Sequence, residues 1–218
     1  LKGFFRIRNS KETHELDYWK KRKALEGTLI NSHYRHFFSD HFGLPLDYYT
    51  GKRILDVGCG PRGSLEWAEQ AQERIGLDSL ASAYGEIGAN SQKMRYVDAP
   101  SESMPFSSGW FDVVSSFNSL DHVDDLEKTI KEIGRVTKPG GLFLLLVEVN
   151  HDPTPCEPIV FSWDVVDAFK EDFKVLELRH YEKSANGMYD SIHAGVLYDH
   201  SNPARRYGIL SAKFLRLE

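Results

Sequence analysis

The sequence predicts a doubly wound α/β domain, and three observations carry that expectation. Strand-length apolar runs alternate with helix-patterned segments across residues 52–150, which implies right-handed crossovers and a mainly parallel sheet with helices on both faces. A glycine spacing, Gly58-x-Gly60-x-x-Gly63, comes directly after the first of those runs. At 218 residues, with 41% hydrophobic and 27% charged side chains, the chain suits one such domain with a small appendage.

Residues 1–50 are polar and aromatic. Helical patterning over 15–26 and again over 29–42, stopped by Gly43 and Pro45, makes them a helical N-terminal cap in which Tyr18, Trp19, Tyr34, Phe37 and Phe38 fall at helical spacing. The runs at 53–57, 74–77, 94–97, 111–116 and 142–149 read as strands. Between the last two, Leu126, Ile130 and Ile133 recur on one helical face, and Pro139-Gly140-Gly141 stops that segment because these residues cannot continue a helix. Residues 162–198 add a helix over 163–171 and strands over 174–181 and 191–198. The Ser184-Ala185-Asn186-Gly187 connection makes those two strands antiparallel neighbours. The expected division is a cap at 1–50, an α/β domain at 51–200 and a C-terminal tail at 201–218.

Charge and composition exclude several function classes. The formal charge is −5, so no global basic field gathers nucleic acid or anionic lipid. The longest apolar run, residues 142–147, is far short of the ~20 residues that cross a bilayer, so no membrane association is expected. Cys59 and Cys156 show no zinc or disulfide spacing, and no signal-peptide order is evident, so the cytoplasm is the expected location.

In a GxGxxG turn the missing side chains let a helix N-terminus and backbone amides approach a ligand. Asp78 closes the next strand run, where a carboxylate can accept hydrogen bonds from both hydroxyls of an adenosine ribose. Asp is also favoured as a helix cap or turn residue, an alternative open for both Asp78 and Asp98. The glycine loop and Asp78 suit either a nicotinamide cofactor or S-adenosylmethionine.

Leu55-Asp56-Val57-Gly58-Cys59-Gly60, Gly76-Leu77-Asp78, Asp98-Ala99 before Met104-Pro105-Phe106, Phe111-Asp112-Val113-Val114-Ser115-Ser116, and Arg135-Val136 before Pro139-Gly140-Gly141 occur in order. Together they resemble the class I S-adenosylmethionine-dependent methyltransferases, in their small-molecule branch, over residues 52–149. The resemblance implies a Rossmann-like seven-stranded sheet with its last strand antiparallel and S-adenosylmethionine over the carboxyl ends of the first strands. It places Gly58, Cys59 and Gly60 beside the methionine and ribose portions, and gives Asp56 the loop and the methionine amino group. Asp78 takes the ribose hydroxyls, Leu80 lies by the adenine, Asp98 and the Ala99 backbone meet the adenine amino group, and Phe117 or Asn118 closes the site.

The implied acceptor is a hydroxyl or amine of a small molecule such as a sugar, polyketide or other metabolite. Phe117-Asn118-Ser119-Leu120 stands where amino-directed DNA methylases carry their Pro-Pro-aromatic motif, which disfavours a nucleobase acceptor. A sulfonium is already an activated donor, so the protein must align the acceptor, exclude water and remove a proton where needed. His122 and His151 follow the fourth and fifth strand runs, and either is a candidate base, with His151 placed first. Asp121, His122, Asp124, Asp125, His151 and Asp152 crowd the same two loops. A helix start accounts for Asp124 and Asp125, so no metal is expected. Two alternatives are a nicotinamide-dependent oxidoreductase and a cofactor-binding module, non-catalytic or carrier-dependent, of a larger synthase. The sequence leaves the oligomeric state open.

Overall fold

The sheet grows outward from β1 (Arg53–Val57), whose Ile54, Leu55, Asp56 and Val57 are all buried. Such a strand has to be covered on both faces, which is the condition of a central parallel strand. A computed structural model describes residues 10–29 and 32–218. In it β2 (Glu73–Asp78) and β3 (Arg95–Asp98) add on one side of β1, and β4 (Phe111–Phe117) and β5 (Thr137–Val149) on the other, all parallel. Next come β7 (Gly208–Arg216) and then β6 (Phe173–Glu182), and β7 runs antiparallel to both its neighbours. The order is β3-β2-β1-β4-β5-β7-β6. A seven-stranded sheet with one antiparallel strand, the last in chain order, is the expected architecture.

Two apolar layers sandwich the sheet. One joins Leu55, Leu77, Val114 and Leu145 to α4 (Leu126–Val136) through Ile130, Ile133 and Val136, and to a 3-10 turn at Trp163–Phe169. The other joins Ile54, Val113, Leu144 and Ile209 to α2 (Tyr34–Phe38) and to α5 (Met188–Ala194). The face of α4 is the one its Leu126, Ile130, Ile133 spacing marks, and Asp125 caps it by accepting from Lys128 N at 3.1 Å. A smaller cluster ties α1 (Ser10–Glu26) to α3 (Ala81–Glu86) through Leu16, Ala83 and Tyr84.

Several boundaries differ from the sequence reading. Residues 191–198 are not a strand; α5 and a bridge at Leu197 stand there. The partner of β6 is instead β7, drawn from the segment read as a tail. The helix expected over 163–171 is a 3-10 turn. The one over 29–42 contracts to the five residues of α2, with residues 30 and 31 outside the described part of the chain. Among the described residues no helix is long and apolar enough to cross a membrane.

Candidate active site

Strand order reverses between β1 and β4, and in open α/β sheets the crevice beyond the carboxyl ends at such a point takes the ligand. A cavity of 680 Å³ lies there, within the ~300–1,000 Å³ usual for small-molecule sites. Its floor is the loop after β1. Gly58 and Gly60 have φ of +69° and +56°, and a Cβ at Gly58 would lie 2.3 Å from Ser119 Cβ. Only glycine serves such a backbone without strain.

The amides of that loop turn toward β2. Gly58 N and Cys59 N donate to Leu77 O at 2.8 and 3.4 Å, and Gly60 N donates to Asp78 Oδ2 at 3.1 Å. Residues 58–72 form turns with no helix. The expectation that a helix N-terminus meets the ligand is therefore corrected, and the amides of Gly58, Cys59 and Gly60 are engaged with β2.

Asp78, half-buried at the end of β2, also accepts from Leu80 N at 2.9 Å. Burial pushes its carboxyl up to about 6, with Asp98 and Glu12 adding repulsion against the hydrogen bonds from Leu80 and Gly60. It both pins backbone and lines the cavity, as do Leu80 and Ala99 along the same wall. Asp98 does not. It is exposed, stands outside the cavity lining and accepts from Ser82 N at 3.3 Å, a capping contact in the first turn of α3. Asp56 is buried in the cavity floor, where Ser64 Oγ and Ser115 Oγ donate to it at 2.5 and 2.6 Å. Loss of hydration raises its pKa to about 6 despite both hydroxyls. Its link to Ser64 orients the glycine loop.

Asn118 has a left-handed φ of +55° and lines the cavity, and its buried Oδ1 has no hydrogen-bond partner among the described residues. A buried orphan acceptor on a cavity wall is a place for a ligand donor. Phe117 packs 4.7 Å from the Phe38 ring, closing the floor toward α2.

Over the mouth lies α1. Arg62 of the glycine loop grips Glu26 through both terminal nitrogens at 2.8 and 2.9 Å, and its guanidinium lies 5.3 Å from the Trp19 ring. Lys23 Nζ donates to Ile87 O at 2.5 Å, and Lys11 Nζ to His122 O at 2.6 Å. Lys11, Tyr18, Trp19 and Arg22 of α1 line the crevice, with Tyr34 and Tyr189 together at one side.

Around His122 the wall is acidic. His122 lines the cavity with Nδ1 3.8 Å from Glu15 Oε2 and Nε2 3.8 Å from both Asp121 Oδ1 and Glu157 Oε1. Burial pushes Glu15 and Asp121 up to about 7 and holds His122 below its ordinary value, while Glu157 pulls it back up. His151, the histidine placed first by sequence, is buried behind Asp121 and does not line the cavity. Its Nδ1 lies 2.9 Å from Asp152 O and its Nε2 3.7 Å from Asp121 Oδ2. Its ring thus faces Asp121 rather than the cavity, and of the two histidines singled out by sequence only His122 meets the cavity. Sequence reasoning missed Glu15, Glu148, Glu157 and Tyr189. Glu148 was recoverable, since it sits near the carboxyl end of β5 as Asp78 does on β2; the others carry no local signal.

A seven-stranded sheet of this order, with a glycine loop and a strand-end carboxylate facing one crevice, defines a class I methyltransferase fold. Residues 55–145 match the family model described as a methyltransferase domain. Malonyl-(acyl-carrier protein) O-methyltransferase of Enterobacter lignolyticus (strain SCF1) is 35% identical over 137 residues, covering 62% of this chain and 53% of that protein. Sterol 24-C-methyltransferase erg6 of Aspergillus fumigatus is 29% identical over 147 residues, covering 64% of this chain and 34% of that one. The chain thus spans about half the length, or less, of these curated relatives. Among solved structures, a geranyl diphosphate methyltransferase in complex with SAM is similar with a TM-score of 0.57 and 17% identity, covering 79% of this chain and 82% of that one.

Proposed function

We propose that the chain is a methyltransferase that binds S-adenosylmethionine in the crevice and methylates a hydroxyl or amine of a small molecule at the His122 end. The observation that carries this reading is that one cavity brings together the glycine loop and Asp78 with the acidic group around His122. The residues present fit the cofactor. Asp78 keeps lone pairs for a ribose diol, Leu80 and Ala99 offer an apolar wall to an adenine, and the orphan Oδ1 of Asn118 suits an ammonium donor.

When bound, S-adenosylmethionine supplies a methyl group already activated on a sulfonium. The protein's share is alignment and exclusion of water. Trp19 and Arg62 fix α1 over the glycine loop, and Phe117 seals the floor. His122 is the candidate base that meets the cavity, so the acceptor proton leaves on its side. The nicotinamide alternative loses support, because a pyrophosphate is favoured by a helix start and residues 58–72 form no helix.

Calorimetry with S-adenosylmethionine and S-adenosylhomocysteine tests the cofactor half. One site per chain with both ligands is expected, and absence of binding by either overturns the proposal. An acceptor screen, read by release of S-adenosylhomocysteine, tests the other half. Turnover only on acyl-carrier-bound acceptors would overturn the free small-molecule reading and favour a carrier-dependent module.

A further inference from the structure

The acidic wall around His122 contains more negative groups than a proton acceptor needs. Asp121 is 1% exposed, and its Oδ1 has no hydrogen-bond partner although it points at His122 Nε2 from 3.8 Å. Glu157 Oε1 faces the same nitrogen from the same distance. On the other side of the ring, Nδ1 faces Glu15 Oε2, while Glu15 Oε1 is taken by Trp19 Nε1 at 2.6 Å. A neutral imidazole carries one proton. With that proton on Nδ1 toward Glu15 and Asp121 ionised, the Nε2 lone pair and two carboxylate oxygens face one another with no hydrogen between them. Among the described residues these three form a group whose ligand atoms lie within 4.8 Å of one another.

We propose that Asp121 Oδ1, His122 Nε2 and Glu157 Oε1 bind a divalent first-row transition ion, Mn²⁺ or Zn²⁺, at the acceptor end of the cavity. This inference deepens the proposed function and rests on its reading of that end as the acceptor side; it makes His122 a ligand where it had been a base. Three features beyond the cluster point the same way. Asp121 is a buried oxygen donor with an unfilled lone pair, the kind of group that metal coordination satisfies. Outer partners stand where ligand residues need them: Glu15 holds the far nitrogen of His122, and His151 Nε2 lies 3.7 Å from the second Asp121 oxygen. The donor set is one imidazole and two carboxylates, which favours a transition ion over Mg²⁺ or Ca²⁺.

Ligand atoms around a tetrahedral ion with bonds of ~2.1 Å lie about 3.4 Å apart, so the two 3.8 Å separations need an inward movement of a few tenths of an ångström. Glu157 belongs to a loop and has a partly exposed side chain, so it can close its own gap, while the gap to the buried Asp121 needs a small tilt of the His122 ring. Because His122 and Glu157 line the cavity while Asp121 lies behind them, the open coordination position faces the acceptor. A hydroxyl bound there becomes more acidic, which assigns the acceptor to the oxygen-ligating class. Lys11, the nearby cation, is committed to Asp124 and His122 O and does not enter the donor set.

The test is a calorimetric titration of chelator-treated full-length protein with Mn²⁺ and with Zn²⁺, repeated for Glu157→Gln and His122→Ala. One ion per chain is expected for the parent, weakened at least tenfold in each variant. Titration with Co²⁺ should give a visible absorption band that His122→Ala removes. Absence of a saturable site in the parent overturns the proposal, as does binding that both variants leave unchanged; zinc captured by the exposed His180–His200 pair would behave in that second way. S-adenosylhomocysteine binding is measured on the same samples. Its loss from the parent refutes the cofactor reading alone, and its retention in Glu157→Gln shows that any lost metal binding is local.

Discussion

Substituting Gly58 by Ala should destabilise the fold through two separate costs. The residue sits at φ +69°, and a left-handed backbone costs a non-glycine residue ~1–2 kcal/mol. The new Cβ would also lie 2.3 Å from Ser119 Cβ, and Ser119 cannot retreat freely because its Oγ donates to Val57 O at 2.8 Å and contacts Ser116 Oγ at 2.6 Å. Overpacking of this kind costs ~1–3 kcal/mol. The sum is about 2–5 kcal/mol, which in a chain of this length lowers Tm by roughly 4–20 °C. Thermal unfolding followed by circular dichroism measures it. Adding Ser119→Gly should recover the packing part and leave the backbone part, so the double variant is more stable than the two single changes predict together. A Gly58→Ala protein melting within a degree of the parent would refute both the loop conformation and the Ser119 contact.

Asp78→Ala should weaken S-adenosylhomocysteine binding by ~1.5–3 kcal/mol, the range for hydrogen bonds to a charged group, and calorimetry reads this directly. Asp98→Ala should leave that affinity within about twofold and lower stability by no more than ~1 kcal/mol, the worth of a helix cap; a large loss of affinity would return Asp98 to the site. Asp56 gives a pH prediction. Folded, it holds its proton up to about pH 6, while an unfolded Asp releases it near ~4, so it adds stability below about pH 4 that is lost as pH rises through 6. Denaturant unfolding of the parent and Asp56→Asn between pH 4 and 7.5 should show the parent losing up to about 3 kcal/mol relative to the variant across that window. A difference that grows in the opposite sense would exclude the buried, raised carboxyl.

The parallel half of the sheet was legible because its strands are buried on both faces and read as continuous apolar runs, as Leu142 to Val147 do in β5. The antiparallel strand was not. Although β7 lies inside the sheet, Ser211 and Lys213 interrupt its run. Their polar groups are satisfied from far along the chain: Ser211 Oγ meets His41 Nε2 at 2.8 Å, and Lys213 Nζ reaches Phe42 O at 2.7 Å and Glu177 at 3.2 Å. Residues 191–198 offered a more regular alternation, yet Ser191 turns inward to Gly187 O and Ser184 and closes a helix instead. In the site, residues carried by strand ends were readable, since the end of a strand decides what faces the crevice. His151 was misplaced because its position after β5 is indeed near the crevice, but the ring is held by Asp152 O and screened by Asp121. Glu15 and Glu157 come from a helix and a loop whose approach to His122 depends on packing across more than 30 residues of chain, and no local pattern records that.

The insertion of β7 between β5 and β6 also dictates an order of events during synthesis. Among the described residues β6 hydrogen-bonds to no strand but β7, so when a ribosome has delivered β6 that partner has not yet been made. The edge of β5 is likewise bare at that moment, with the backbone amides and carbonyls that later pair with β7 presented to solvent or to other chains. Completion of the sheet therefore waits for residues 208–216, which must enter a gap flanked on both sides and pair with both strands. Such a late, two-sided closure of non-local contacts is slow by nature. It concentrates the risk of off-pathway association in the interval before those nine residues arrive.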